Sequence, residues 1–347
     1  MPTVKIAVIG AGLIGRKHAE TITNSSRCSL AGICDVNPEN KRLADELGVP
    51  FYESISDLLK NERPEGAIIA TPNGQHASVA EICAKYTVHA LIEKPIADNI
   101  ESARHIIRLE NDSGIKILIG HHRRHSPLVM KAREVIQSGK LGKLVAASMI
   151  WTILKPSEYF DQEWRTKRPE GGPVLINLIH EIDILRFICG DITKVYAQAS
   201  SNTRNLEVED SLNISVSLKN GVVVSIIASD SASSPWSYES TTHENPYYFH
   251  TNKDCYYFFG TQGSLAFPTM EFWNYPDMKL AGWQYQMEKS EISVKRSDPL
   301  VNQLDHFCDV IVGRSDPAVT SSDAAKSLSS VLSILESIKT NLPVIVE

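Results

Sequence analysis

The sequence predicts an α/β protein with two domains, and three observations support this. The chain has 347 residues, whereas one domain usually takes up roughly 100–200 residues. The N-terminal third alternates short apolar strands with helical segments. After that, the strands become longer, and several alternate apolar with polar residues. We therefore expect a doubly wound parallel sheet over residues 1–121, followed by an α+β domain with a large, open, mainly antiparallel sheet over residues 122–347.

The first domain contains five apolar runs typical of buried strands. They cover residues 4–9, 29–34, 66–70, 88–92 and 115–119. The helices predicted between these strands cover residues 13–25, 38–47, 75–86 and 98–111. Asp98 is the expected N-cap of the last helix, and Gly114 lies just beyond its end. Strands separated by helices in this way are typical of a parallel sheet with helices on both faces.

The second domain has a different pattern. Longer strands are predicted at residues 144–154, 194–200, 212–218, 222–229 and 256–260. Helices are predicted at residues 126–138, 174–187, 299–312 and 321–339. The open sheet leaves a partly apolar face, which in many proteins is covered by another subunit. We therefore expect a homodimer or homotetramer that assembles through this sheet.

Composition excludes several classes of protein. Hydrophobic residues make up 42% of the chain, which is enough to build a core. The formal charge of −6 argues against a nucleic-acid partner. No apolar run reaches the roughly 18–20 residues that cross a bilayer, and we identify no signal peptide. The six cysteines form no C-x-x-C pair, as expected of a cytoplasmic protein with free thiols.

A glycine-rich loop follows the first predicted strand. Gly10, Gly12 and Gly15 form a G-x-G-x-x-G pattern that opens a helix. The first glycine permits a tight turn, the second lets a pyrophosphate approach the backbone, and the third lets the helix pack on the strand. Leu13 and Ile14 complete the loop and the start of the helix, whose N-terminus favours an anion. The sequence therefore predicts a dinucleotide site.

Asp35 lies 20 residues beyond Gly15, at the end of the second strand. A carboxylate in this position can accept hydrogen bonds from the adenosine ribose and repels a 2′-phosphate. The expected cofactor is therefore NAD rather than NADP. The nearby Lys41 and Arg42 leave NADP open, because either could pair with a phosphate.

Three further motifs make the prediction more specific. Thr71-Pro72-Asn73 and His76 follow the third strand, and Glu93-Lys94-Pro95 follows the fourth. Both segments stand at the carboxyl ends of strands, where open α/β sheets bind ligands. The third motif, Gly171-Gly172 followed by His180, opens a helix in the second domain.

Together these motifs resemble the Gfo/Idh/MocA family (glucose–fructose oxidoreductase, inositol dehydrogenase, rhizopine catabolism), whose N-terminal domain has the Rossmann fold. The resemblance implies that Lys94 and His180 are catalytic and that the Lys94–Pro95 bond is cis. It also implies that the cofactor is bound by Thr71, Pro72, Asn73, His76, Glu93 and Lys94, in addition to the glycine loop. Substrate contacts are expected from Lys94, His122, Trp164, Arg165, Asn177 and His180.

One position departs from the family pattern. Many members have an aspartate four residues before the catalytic histidine, where this chain has Ile176. Asn177 is the nearest polar residue, but an amide cannot relay a proton as a carboxylate does.

The segment from His121 to His125 contains three histidines and two arginines. Its spacing is irregular for a metal site, so we expect no metal, and we interpret these residues as solvated or facing the substrate.

The expected function is the NAD(P)-dependent oxidation of a secondary hydroxyl of a sugar, an inositol or a related polyol. Two alternatives stay open. One is another family reaction, such as the reduction of an imine, enone or bilin, or glycoside oxidation with retained cofactor. The other is a regulator that binds NAD(P) without catalysis.

Overall fold

The computed structural model describes residues 3–347. The first sheet has six strands, in the spatial order β3-β2-β1-β4-β5-β6, and all neighbouring strands are parallel. The strands are β1 Val4–Ile9, β2 Cys28–Cys34, β3 Phe51–Tyr52, β4 Gly66–Ile69, β5 His89–Ile92 and β6 Ile117–Ile119. The short strand β3 was not predicted from the sequence. The strand order reverses at the neighbours β1 and β4, where open sheets of this type bind ligands.

Helices connect these strands, and the sequence predicts all of them except the third. They are α1 Leu13–Thr23, α2 Lys41–Leu47, α3 Ile55–Glu62, α4 His76–Lys85 and α5 Ile100–Ser113. One capping prediction is wrong, because Asn99 and not Asp98 is the N-cap of α5. The Asn99 side chain accepts a hydrogen bond from the Ser102 N–H at 2.8 Å, which satisfies one of the free donors of the first turn.

The second sheet has nine strands, in the order β14-β13-β12-β11-β7-β10-β9-β8-β15. The strands are β7 Leu144–Thr152, β8 Ile192–Ser200, β9 Ser211–Leu218, β10 Val223–Ser229, β11 Tyr256–Gly260, β12 Gly263–Phe267, β13 Glu271–Asn274, β14 Glu288–Glu291 and β15 Val344–Ile345. Only β7 and β10 pair in parallel, and the other pairs are antiparallel. The predicted fold class, a Rossmann-type domain plus a mainly antiparallel α+β domain, is confirmed.

The two faces of the nine-stranded sheet differ in polarity. Val224 and Ile226 of β10 point into the core, together with α6 Pro127–Gln137 and α7 Ile179–Cys189. Val223 and Ile227 point the other way and are 57% and 50% exposed. A short helix, α8 Tyr238–Thr242, follows the last residues of β10. Alternation of this kind is expected of a sheet with one covered face.

Two long helices follow the nine-stranded sheet in the sequence, α9 Pro299–Ile311 and α10 Ser321–Thr340. No helix in the described part of the chain is long and apolar enough to cross a membrane.

The chain divides into two compact units. The first unit ends at His125 and also takes in Pro299–Leu328, and the second comprises Ser126–Asp298 and Ser329–Glu347. The sequence places the boundary after residue 121 and the whole C-terminal segment in the second domain. In the structure, α9 groups with the first unit because Phe307 is fully buried beside Gly66 of β4. The Val319 carbonyl also accepts a hydrogen bond from the Ile119 N–H at 3.1 Å.

Candidate functional site

The glycine loop lies between β1 and α1, and its three glycines have different surroundings. A Cβ at Gly10, where φ is +92°, would lie 2.5 Å from the Ala70 carbonyl oxygen. A Cβ at Gly15 would lie 1.9 Å from the Gly10 carbonyl oxygen. At Gly12, no described atom lies within 4 Å of an added Cβ. The loop is therefore tightly packed at its two ends and open at its middle glycine, which begins α1.

Asp35 joins the end of β2 to this loop. Its Oδ2 atom accepts a hydrogen bond from the Ala11 N–H at 2.6 Å, and Oδ1 accepts one from the Asn37 N–H at 2.8 Å. Each carboxylate oxygen can accept more than one hydrogen bond, so Asp35 retains capacity for a ligand. Lys41 and Arg42 instead form exposed ion pairs with Asp45 and Glu46.

His76 connects the segments that follow β4 and β5. Its ring is fully buried, with Nε2 3.0 Å from the Thr71 carbonyl oxygen and Nδ1 3.1 Å from the Pro95 carbonyl oxygen. Burial lowers the pKa of His76, although these carbonyl contacts oppose the effect. Pro72 precedes the turn Asn73–Gln75, which leads into α4. The side chain of His76 is therefore occupied in holding the two loops together.

Glu93 and His18 form a buried pair beneath Lys94. Glu93 Oε1 lies 2.7 Å from His18 Nε2, and Glu93 Oε2 accepts a hydrogen bond from the Lys94 N–H at 3.1 Å. Burial raises the pKa of Glu93, but the hydrogen bond and charge of His18, with the charges of Lys94 and His122, bring it to about 2. The Lys94–Pro95 bond is cis, as the family resemblance implies. No motif in the sequence predicts that Glu93 pairs with His18.

The residues from His122 to His125 form a tight helical turn. Arg123, Arg124 and His125 are buried, and Arg124 pairs with Asp323. The interpretation of these three as solvated is therefore wrong, whereas a position facing the substrate stays a prediction. His122 is only half-buried, and burial with the charge of Arg123 lowers its pKa to about 3 despite Glu93.

The second unit carries the predicted histidine. The backbone of Val174–Leu178 forms a π-helical turn, and α7 begins directly after it. A turn of this type is often found at functional sites. Asn177 lies in the π-helical turn, and His180, 7% exposed, is the second residue of α7. His180 is therefore held in a buried helix rather than on a loop.

Lys155, which was not predicted from the sequence, contacts Asn177. Its Nζ atom lies 2.8 Å from Asn177 Oδ1 and 3.4 Å from Asp230 Oδ2. Burial lowers the pKa of Lys155 to about 8, although Asp230 opposes the effect.

Trp164 and Arg165 lie in the segment between β7 and the π-helical turn. The Trp164 side chain is 46% exposed. Arg165 donates a hydrogen bond to the Tyr159 carbonyl oxygen at 2.8 Å, and its guanidinium lies over the Tyr159 ring. Among residues 3–347, no group of three or more His, Cys, Asp or Glu side chains is arranged to hold a metal ion.

Comparison with known proteins identifies the class of protein. A family model described as an oxidoreductase family with an NAD-binding Rossmann fold matches residues 4–121. The model of the GFO/IDH/MocA C-terminal domain matches residues 129–266. The chain belongs to the Gfo/Idh/MocA family.

Individual relatives have low sequence identity to this chain. The rhizopine catabolism protein MocA of Rhizobium meliloti is 28% identical over 206 residues, which cover 58% of this chain and 62% of that protein. The inositol 2-dehydrogenase of Rubrobacter xylanophilus is 28% identical over 208 residues, which cover 58% of this chain and 57% of that protein. The match thus spans less than two thirds of these relatives.

Solved structures with the same fold match almost the whole chain. An oxidoreductase from Agrobacterium radiobacter, in complex with NAD+, L-tartaric acid and magnesium, has a TM-score of 0.82 at 20% identity and 99% coverage of both chains. A scyllo-inositol dehydrogenase from Lactobacillus casei, with bound NAD(H) and scyllo-inositol, has a TM-score of 0.79 at 20% identity and 99% coverage of both chains.

Because Gly12 and Gly15 have different steric environments, we expect a substitution to alanine to change the melting temperature at one position and not at the other. We expect Gly15→Ala to lower the melting temperature strongly or to prevent folding, because the new methyl group overlaps the Gly10 carbonyl. Gly12→Ala, with open space around its Cβ, should leave the melting temperature nearly unchanged. Thermal melts followed by circular dichroism measure both, and equal melting temperatures would contradict the packing described at Gly15.

The low pKa of Glu93 predicts a pH-dependent contribution to stability. Because this pKa is about 2 instead of 4.5, ionised Glu93 should stabilise the folded state by about 3 kcal/mol at neutral pH. This contribution is present above the ordinary carboxyl pKa and is lost as the pH falls towards 2.

Urea unfolding of Glu93→Gln and the parent from pH 7 to pH 3 measures this contribution. The difference in unfolding free energy should be largest at neutral pH and shrink below about pH 4.5. Glu39→Gln, at an exposed position, is the control and should show little difference at any pH. A difference for Glu93→Gln that stays constant across this range would refute the role of the charge.

Proposed function

We propose that this protein is an NAD-dependent oxidoreductase that oxidises a secondary hydroxyl of a sugar, an inositol or a related polyol. The observation that carries the proposal is the arrangement at the carboxyl edge of the six-stranded sheet. There, β1 leads into the open glycine loop, β2 into Asp35, and β5 into Lys94. Membership of a family that includes inositol dehydrogenases supports the choice of substrate class.

The first unit has the features needed to hold the cofactor. In this proposal Gly10, Gly12, Leu13, Ile14 and Gly15 accommodate the pyrophosphate, because Gly12 is open and the first N–H groups of α1 have no capping side chain. Thr71, Pro72 and Asn73 border the cofactor from the β4 segment. The buried side chains of His76 and Glu93 contribute to cofactor binding by fixing the backbone of the loops that they contact.

The contacts of Asp35 favour NAD over NADP. Its carboxylate stands at the end of β2 and would repel a 2′-phosphate. Lys41 and Arg42 each pair with a carboxylate on their own helix, and these pairings compete with binding to a phosphate. Binding of a 2′-phosphate by Lys41 or Arg42 would therefore have to replace one of these exposed ion pairs.

Lys94 and His180 divide the chemistry between them. Histidine is the side chain whose ordinary pKa lies near neutrality, so His180 is assigned as the base that takes the hydroxyl proton. Lys94 donates hydrogen bonds to the same oxygen and stabilises its developing negative charge. A bound nicotinamide would supply the acceptor for the hydride from the carbon. His122, Trp164, Arg165 and Asn177 are assigned to the remaining oxygens of the substrate.

The exposed face of the nine-stranded sheet supports an oligomer. Val223 and Ile227 lie on this face, and Ile150 stands opposite Ile227 in the parallel pair β7–β10. Phe259 and Trp273, at 40% and 38% exposure, extend the apolar surface across β11 and β13. A surface of this kind is usually buried against another subunit, so we propose that the protein is a homodimer or homotetramer.

Substituting the two assigned catalytic residues should abolish turnover. We expect Lys94→Ala and His180→Ala to lower the rate at 340 nm by at least about 100-fold. His180→Ala should leave NADH affinity nearly unchanged, and Lys94→Ala should lower it far less than it lowers turnover, because the glycine loop and not Lys94 is assigned to hold the pyrophosphate. The assay uses a panel of polyols and aldoses with NAD+ and NADP+, and NADH binding is followed by fluorescence.

Matched controls make this experiment decisive. Lys85→Ala and His105→Ala remove exposed partners of Glu81 and should leave the rate unchanged. Gly12→Ala should weaken NADH binding with its fold intact. Near-normal rates in either catalytic variant would show that the assignment is wrong. No turnover of any compound, with NADH binding retained, would instead favour a regulator.

Placing a charge on the exposed sheet face should break the oligomer. Sedimentation velocity is expected to show a dimer or tetramer for the parent protein and a monomer for Ile227→Lys, because the lysine would be desolvated in the interface. Met130→Lys, on an exposed position of α6, is the control and should leave the oligomer intact. A monomeric parent protein would contradict the proposed assembly.

A further inference from the structure

A group of hydrogen-bond donors surrounds the ring of Tyr159 in the second unit. Lys155 Nζ lies 4.3 Å from the centroid of this ring, and the guanidinium carbon of Arg165 lies 4.1 Å from it. Lys155 in turn contacts Asn177. We call Lys155, Tyr159, Arg165 and Asn177 the Tyr159 cluster.

The contact with Lys155 determines whether Asn177 offers a hydrogen-bond donor or an acceptor to a ligand. An ammonium group has three donors and no acceptor, so the amide oxygen of Asn177 must be the atom that faces Lys155. The Asn177 side chain makes no other hydrogen bond within residues 3–347. Its N–H groups therefore remain as donors for a ligand. An aspartate, which accepts hydrogen bonds only, would present the opposite polarity.

Arg165 has unused donor capacity. One of its terminal nitrogens donates to the Tyr159 carbonyl oxygen, but the Nε atom is buried and has no hydrogen-bond partner in the described chain. No carboxylate in the described chain forms an ion pair with Arg165. The other terminal nitrogen also makes no hydrogen bond to residues 3–347, but it is not buried, so it is the donor that an acceptor on a ligand can reach.

Two carboxylates lie beside the cations in and around the cluster, and neither pairs with Arg165. The Asp230 carboxylate is shared between Lys155, at 3.4 Å, and Arg204, at 3.2 Å. The charge of Glu239 also raises the pKa of Lys155. The same carboxylate accepts a hydrogen bond from Trp151 Nε1 at 3.0 Å. Arg165 forms no ion pair with either carboxylate, so its charge is the one that an anionic ligand can neutralise.

We propose that the Tyr159 cluster binds a carboxylate of the substrate, so that the polyol oxidised by this protein is a sugar acid, such as an aldonate or a uronate. Arginine and amide N–H groups are well suited to carboxylate oxygens. Arg165 has no carboxylate partner and supplies one positive charge, which matches a carboxylate, whereas a phosphate monoester carries about 1.5–2 negative charges at neutral pH. This inference rests on the proposed polyol oxidation and adds the class of substrate to it.

Calorimetric titration of the full chain with matched acid and neutral compounds tests the proposal. The pairs are D-gluconate with D-glucitol, D-galactonate with galactitol, and D-glucuronate with D-glucose. They are titrated with NADH present, so that no oxidation occurs, and again without it. At least one acid should bind about tenfold or more tightly than its neutral partner, because a charge-assisted hydrogen bond contributes about 1.5–3 kcal/mol.

Variants assign this preference to the cluster. Arg165→Gln and Lys155→Met should each weaken binding of the acid about tenfold or more, and by a clearly larger factor than they weaken binding of the neutral partner. Arg165→Lys and Lys155→Arg keep the charge and should recover part of the loss. Lys167→Met, which removes an exposed partner of Glu163 on the same segment, is the control and should bind the acid like the parent. Thermal melts verify the fold of each variant.

Three outcomes would overturn the proposal. The first is equal affinity within all three pairs. The second is an equal loss for acid and neutral compound in the Arg165 and Lys155 variants, which would indicate a structural role only. The third is tighter binding of D-glucose 6-phosphate than of any acid, which would assign the cluster to a phosphate. Absence of NADH binding would instead contradict the proposed function, and the titrations without NADH would still measure the acid preference.

Discussion

The close approach of β1 and β4 at Gly10 is the constraint on which the first unit depends. A side chain at this position would meet the backbone of Ala70 at 2.5 Å, and the Gly10 N–H bonds to the Cys34 carbonyl of β2 at 2.8 Å. The ends of three strands are thereby held together where the strand order reverses. This is the place where a parallel sheet leaves room for a ligand, and the glycine loop, Asp35 and Thr71 all begin there.

Buried polar pairs then fix the segments that leave this edge. His76 joins the segments after β4 and β5, and the pair of His18 with Glu93 lies under the backbone of Lys94. Burying a polar group costs free energy unless the group is hydrogen-bonded or paired. The proposed catalytic lysine therefore stands on a backbone held by buried contacts, which is what a preorganised site requires.

Much of the candidate site was accessible from the sequence because its motifs are local. The glycine loop, the Glu93-Lys94-Pro95 tripeptide and the helix of His180 are each recognisable within a few residues. Lys155 and Tyr159 were missed for the opposite reason. Each stands alone in a stretch without a motif, and Lys155 acquires its significance only through Asn177, 22 residues away.

The sequence by itself determined the two kinds of sheet, the loop that opens α1 and the family, because periodicity and short motifs are properties of neighbouring residues. Tertiary structure decided which distant groups meet. It paired His18 with Glu93 across 75 residues, placed α9 with the first unit, and turned the amide of Asn177 towards Lys155. These outcomes depend on packing and on the cost of burying unpaired polar groups, and both act between residues that are remote in the chain.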